Sequence, residues 1–106
     1  MMITIRFISK EQQKSHYDWA DISCGSDRVG KARCTIQNST IIIYSINIYP
    51  IWEGHGYGRE FVDHCKGHFE VVIADRVRPS AIGFWEAMGF CNDNDGNWSY
   101  RKKNKA

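Results

Sequence analysis

The sequence predicts an α/β domain whose mixed central sheet joins an antiparallel meander to a parallel βαβ unit, with helices on both faces. Three observations carry this. Up to residue 49, apolar and polar residues alternate in short segments joined by connections too short for the crossover that parallel strands require. After Gly56 the apolar period lengthens to that of a helix, and an apolar run at 70–74 follows. Strand, helix and strand in that order form a βαβ unit with a right-handed crossover, so the flanking strands should be parallel.

Each element has its own signal. "ITIRFI" (3–8) alternates and is rich in β-branched residues, a first strand. "SKEQQKSHYD" is polar and has room for a turn or two of helix at most. "YDWADIS" (17–23) alternates again, and "CGSD" supplies turn chemistry. "RVGKARCTI" (28–36) and "IIIYSINIY" (41–49) are third and fourth strands joined by the turn "QNST". From Tyr57, the residues Phe61, Val62, Cys65 and Phe69 define one apolar face of a helix over 56–68. "EVVIA" (70–74) is a buried fifth strand. Pro79 suits the first turn of a second helix carrying Ala81, Ile82, Trp85, Ala87 and Met88, which Gly89 stops. "FCN" and "WSYRK" pair as a last hairpin around Asp95-Gly96. The aromatic residues Phe61, Phe69, Phe84, Phe90 and Trp98 supply the core.

Composition bounds the function. The 106 residues fit one domain, 1–106, with one modest core. At 42% hydrophobic and 25% charged the chain has the balance of a globular protein. A net charge of +2, more than accounted for by the closing "RKKNKA", gives no expectation of nucleic-acid binding. There is no membrane-spanning run or signal-peptide layout, so the expected location is cytoplasmic. The four cysteines lack CxxC spacing, so buried free thiols are expected rather than a zinc site. His64 and His68 share a helix face, but no acidic third ligand adjoins them, so they are read as surface residues and no metal is expected. Arg28, Lys31 and Arg33 are read as solvated strand-face charges.

The stretch "IYPIWEGHGYG" (48–58) carries the chemistry. Pro50 has no amide hydrogen and ends sheet pairing. Glycines at 54, 56 and 58 let backbone amides approach a ligand closely, and the following helix adds unpaired N–H groups and its positive dipole end. That combination suits a phosphate or pyrophosphate. A P-loop is excluded because Arg59-Glu60, not Lys-Ser/Thr, follow Gly58. The dinucleotide fingerprint is excluded because neither Arg59 nor Phe61 is glycine.

With Ile48-Tyr49-Pro50 ahead of it, this loop resembles the acyl-CoA loop of the GNAT N-acetyltransferases (Gln or Arg, two residues, Gly, one residue, Gly or Ala), with Gly56 and Gly58 on the motif glycines. "AIGFWEAMGF" (81–90) resembles the same family's second motif, A-x-x-F-Y-E-x-x-G-F. The resemblance covers roughly residues 28–103. It implies an N-acetyltransferase that moves an acetyl group from acetyl-CoA to an amine, small molecule or protein, by direct attack in a ternary complex. It further implies that Ile46 and Ile48 offer backbone groups to the pantetheine arm and that a backbone amide near Ile48 polarises the thioester. The pyrophosphate would lie on the amides running from Glu53 and Gly54 through His55, Gly56, Tyr57 and Gly58 to Arg59. Phe84 and Trp85 would lie near the thioester. As catalytic groups the candidates are Asp75, Ser80 and Tyr44, with Asn47 also on the fourth strand.

The sequence departs from the family at three positions. Glu53 replaces the usual Gln or Arg, Trp85 replaces a tyrosine that often protonates the leaving thiolate, and Arg78 stands where Asn is common. The segment between the first two strands is also too short for the family's usual helix pair, which opens the acceptor side. The alternative function is therefore a catalytically silent CoA-binding or protein-interaction module. Exposed aromatic residues at Tyr17, Trp19 and Trp52 lead to the expectation of a homodimer that closes the acceptor side.

Overall fold

The computed structural model describes residues 3–102. Seven strands form one sheet in the order β1-β2-β3-β4-β5-β7-β6. They are β1 Ile3–Ile8, β2 Asp18–Cys24, β3 Asp27–Gln37, β4 Thr40–Ile48, β5 Val71–Ala74, β6 Cys91–Asn92 and β7 Trp98–Arg101. β1 to β4 are an antiparallel meander, and β4 pairs with β5 in parallel, Thr40 to Ile43 against Val71 to Ala74. The helices are a single turn α1 (Lys10–Gln13), α2 (Tyr57–His68) and α3 (Ile82–Ala87), the last entered through a 3₁₀ turn, Pro79–Ala81. Element types, order and pairing follow the sequence-based expectation, with ends displaced by about a residue.

The distribution of the helices differs from it. Strand residues alternate between two faces, and the buried set Ala20, Ile22, Ala32, Cys34, Ile41, Ile43, Val72 and Ala74 lies on one of them. α2 seals that face with Phe61, Val62 and Cys65, all fully buried. α3 lies on the same face: Trp85 packs on Phe90 with ring centroids 4.8 Å apart, and Phe90 on Tyr100, whose strand partner is Val72. Lys66 Nζ on α2 donates to the Met88 carbonyl at 2.8 Å, tying the two helices together. Helices were expected on both faces. Successive right-handed crossovers running the same way along a sheet put both on one face instead.

The β1–β2 connection is one helical turn, and a buried carboxylate holds it down. Asp18, 5% exposed, accepts from Lys10 N at 2.7 Å and from Ile36 N at 2.8 Å. The turn is closed by a capping box between Ser9 and Gln12. Of the expected core aromatics, Phe61, Phe90 and Trp98 are buried, whereas Phe69 and Phe84 are partly so. Cys24, Cys34 and Cys65 are buried free thiols, but Cys91 is exposed because it stands on the edge strand and points to the uncovered face.

Candidate active site

The site forms where β4 and β5 part. Their last link is Asp75 N to the Ile43 carbonyl at 2.9 Å. Beyond it β4 carries a bulge: Ser45 opposes Arg33 and Ile43 opposes Cys34, leaving Tyr44 as the extra residue. The bulge reverses the alternation. Ile41 and Ile43 face α2 before it, and Ile46 and Ile48 do so after it. The chain after β5 turns away instead, with Arg76 at φ +47°. Arg76 N donates to Asn97 Oδ1 and Val77 N to the Gly96 carbonyl, both at 2.8 Å, so the last hairpin clasps this wall.

Between the walls is a cleft of about 510 Å³. Its β4 side is Ile43, Tyr44, Ser45, Ile46 and Ile48, and its β5 side is Ala74, Asp75, Arg76, Val77 and Arg78. Ala81, Phe84 and Trp85 close its end at α3. A second hollow of about 270 Å³ shares Ile48, Gly58 and Phe84 with the cleft and runs over Trp52, Glu53, Gly54, Gly56, Tyr57 and Arg59. Of the sequence-predicted site residues, Ile46, Ile48, Gly58, Phe84, Trp85, Tyr44 and Asp75 line the cleft. Glu53, Gly54, Gly56, Tyr57 and Arg59 line the hollow. His55 stacks on Tyr57 at 5.6 Å, and Ser80 is exposed outside both. Ser45, the 76–77 clasp and the bulge had no local signature in the sequence, since each is set by long-range pairing.

The loop is built from backbone. Tyr49 N makes its last sheet bond to Val29 O at 2.9 Å, and Pro50 opens a 3₁₀ turn, Pro50–Trp52. Gly54 and Gly56 have φ of +84° and +81°, a region that side-chain-bearing residues avoid. A Cβ at either would meet nothing within 4 Å, so their lack of side chains opens the loop outward rather than serving internal packing. Gly56 is the N-cap of α2 and offers no capping side chain; the first helical bond is Glu60 N to the Gly56 carbonyl, 3.0 Å. Among the described residues, the N–H groups of 54–59 find no acceptor. Six adjacent donors at the positive end of a helix have the chemistry that suits an anion. Nearby, Gly30 is required by close approach: a Cβ there would lie 2.5 Å from the Asn47 carbonyl oxygen.

Polar groups in the cleft are few. Tyr44 lies edge-on to Tyr17 and its hydroxyl donates to Thr35 Oγ1 at 3.2 Å, which holds it at the uncovered face. Asp75 Oδ2 is 3.9 Å from Arg76 Nε, with the side chain 27% exposed. Trp85 is 8% exposed and packs edge-on against Phe84 at 5.1 Å. His64 and His68 stack at 4.0 Å on α2, and a ring nitrogen of His68 lies 2.8 Å from the His64 carbonyl. Burial, with the neighbouring His68, lowers the His64 imidazole below its ordinary range. No group of three metal-ligating side chains occurs among the described residues.

No family model and no curated protein matches the chain in sequence. Solved structures do match in shape. The ribosomal-protein-S18-alanine N-acetyltransferase of Escherichia coli superposes with a TM-score of 0.67 at 14% identity, over 99% of this chain and 97% of that one. The N-acetyltransferase YlbP of Bacillus subtilis, in complex with coenzyme A, gives 0.63 at 17% identity, over 87% and 76%. A GNAT family acetyltransferase of Streptococcus pneumoniae gives 0.59 at 22% identity, over 85% and 88%. At these identities the likeness is one of fold, and on it this chain has the fold of the GNAT N-acetyltransferases.

Proposed function

We propose that the chain is an acetyl-CoA-dependent N-acetyltransferase acting by direct transfer in a ternary complex. The row of six unaccepted amides at 54–59, opening onto the β4–β5 cleft, is the observation that carries the reading. The pyrophosphate of acetyl-CoA would take those amides, as charge-assisted acceptors do. The pantetheine arm would follow the unpaired edge of β4 past Ile46 and Ile48 into the cleft. Phe84 and Trp85 would bound the thioester end.

The chemistry then runs as an addition and an elimination. The lone pair of a neutral amine attacks the thioester carbonyl and a C–N bond forms. A β4 amide near Ile48 donates to the developing oxyanion. The C–S bond breaks, the electron pair leaves on sulfur, and CoA departs as thiolate or thiol. Asp75 takes the amine proton directly or through one water. The Tyr44 hydroxyl is already committed to Thr35 and the family's tyrosine position holds Trp85, so thiolate protonation falls to solvent. Four cysteines without a disulfide suit a reducing compartment, consistent with a cytoplasmic enzyme.

The same two residues favour a second reading, a CoA-binding module without turnover. Incubating the protein with acetyl-CoA and a panel of polyamines, aminoglycosides, lysine peptides and free-amino-terminal peptides, followed by mass spectrometry, separates the two. Acetylated product with matching release of free CoA supports the enzyme. CoA binding without product on any acceptor supports the silent module, and no CoA binding refutes both.

A further inference from the structure

The sheet face opposite α2 and α3 bears no helix among the described residues, and its β1–β4 half is nearly of one sign. Arg6, Arg28, Lys31 and Arg33 stand on it against one carboxylate, Asp21, which pairs with Arg28. Lys31 and Arg33 have no ion-pair partner among the described residues. Lys31 Nζ lies over the Trp19 ring at 5.3 Å, and the Arg33 guanidinium over Tyr17 at 4.7 Å. The Arg33 Nε is buried without a hydrogen-bond partner. Held against rings, the two cations lose little further freedom on meeting a partner.

Farther along the same face lies an apolar patch: Ile42 on β4, opposite Thr35, with Val71 and Ile73 on β5, all half-buried. Strands are about 4.8 Å apart and rise about 3.3 Å per residue, so Arg33 and Lys31, two and four residues along β3 from Thr35, lie diagonally about 12 to 16 Å from Ile73, a span of about three turns of α-helix. We propose that this face docks an acidic amphipathic helix of another polypeptide, its aliphatic stripe on Ile42 and Ile73 and its carboxylates on Lys31 and Arg33. A second copy of this chain would oppose like charges across the contact. Residues 103–106 carry two lysines and no acidic side chain, so they do not supply an acidic helix. A nucleic-acid backbone would meet the same cations through its phosphates but would leave the patch of Ile42 and Ile73 uncovered. Toward the β7 edge the charge is even, with Arg101 on β7 and Asp93 accepting from Ser99. The inference is independent of acetyl transfer.

The test uses the whole protein with isoleucine methyls labelled, and three probes: an 18-residue Leu/Glu amphipathic peptide, its Leu/Lys counterpart, and single-stranded oligouridylate. The Leu/Glu peptide is expected to shift the Ile42 and Ile73 methyls and the Trp19 indole N–H while leaving the buried Ile41 and Ile43 methyls in place. The double variant Lys31→Glu, Arg33→Glu should weaken it at least about tenfold, with far-UV circular dichroism checking the fold. Lys31→Glu alone serves if the double variant unfolds, with a smaller loss. Equal binding of the two peptides, tighter binding of the oligonucleotide, no methyl shift at millimolar peptide, or a dimer in light scattering that protects these methyls would each overturn the proposal.

Discussion

Replacing Gly56 by valine perturbs the loop without touching the core. Its φ of +81° is left-handed, which costs an L-residue about 1–2 kcal/mol and a β-branched one more. A Cβ there meets nothing within 4 Å, so no packing clash adds to that figure. The valine relieves the strain by moving φ to a negative value, which changes the direction of the amides that follow. Losing two charge-assisted donors at about 1.5–3 kcal/mol each weakens CoA binding by about 3–6 kcal/mol. That corresponds to roughly a hundredfold to ten-thousandfold in affinity. Isothermal titration with CoA reads the loss, and urea denaturation reads the strain. Gly67→Ala is the control: it lies inside α2 with open space around a Cβ and should raise stability by about 0.5–1 kcal/mol. A Gly56→Val protein that is destabilised yet binds CoA within about threefold of the parent refutes the loop assignment.

Removing the Asp18 carboxylate as Asp18→Ala leaves the amides of Lys10 and Ile36 without acceptors and should cost about 2–5 kcal/mol in urea denaturation; Asp18→Asn, which keeps one acceptor oxygen, should lose less. Glu53→Gln removes an exposed carboxylate beside the anion site and should tighten CoA a fewfold at low salt, an effect that fades as salt rises. An aromatic disulfide reagent at mild alkaline pH should modify Cys91 in the native protein and all four cysteines in urea. Burial pushes the thiols of Cys34 and Cys65 up to about 12, with Asp18 adding to the first and Cys34 to the second. The unfolded chain ionises these thiols near pH 9 while the folded one keeps them protonated. Their contribution is therefore whole below pH 9 and lost between about pH 9 and 12, and urea midpoints should fall over that window.

What the sequence made legible is what local chemistry determines. Alternation through Ile48, Pro50 as a stop, and the longer period from Tyr57 located β1 to β4, the loop and α2, because each depends on residues near in sequence. Gly54 and Gly56 were readable for the same reason: their left-handed backbone is a property of the loop itself. The helices' common face was not, since which side a crossover takes depends on where the later strands insert. The Tyr44 bulge is a mismatch between two strands and leaves no mark on either. Nothing in the alternating segment 17–23 marks Asp18 as buried, and only the approach of Lys10 and Ile36 makes it an interior anchor. The aromatic patch assembled from Tyr17, Trp19 and Trp52 does not exist as one surface. Tyr17 and Trp19 flank the open face, whereas Trp52 packs with His55 and Tyr57 in the loop.

The most direct measurement is a titration of isotopically labelled protein with acetyl-CoA, followed amide by amide. The amides of 54–59 should move first and furthest, those of Ile46 and Ile48 next, with saturation at micromolar to sub-millimolar ligand. Absence of shifts at millimolar acetyl-CoA, or shifts concentrated away from the loop and the β4 edge, would contradict the account.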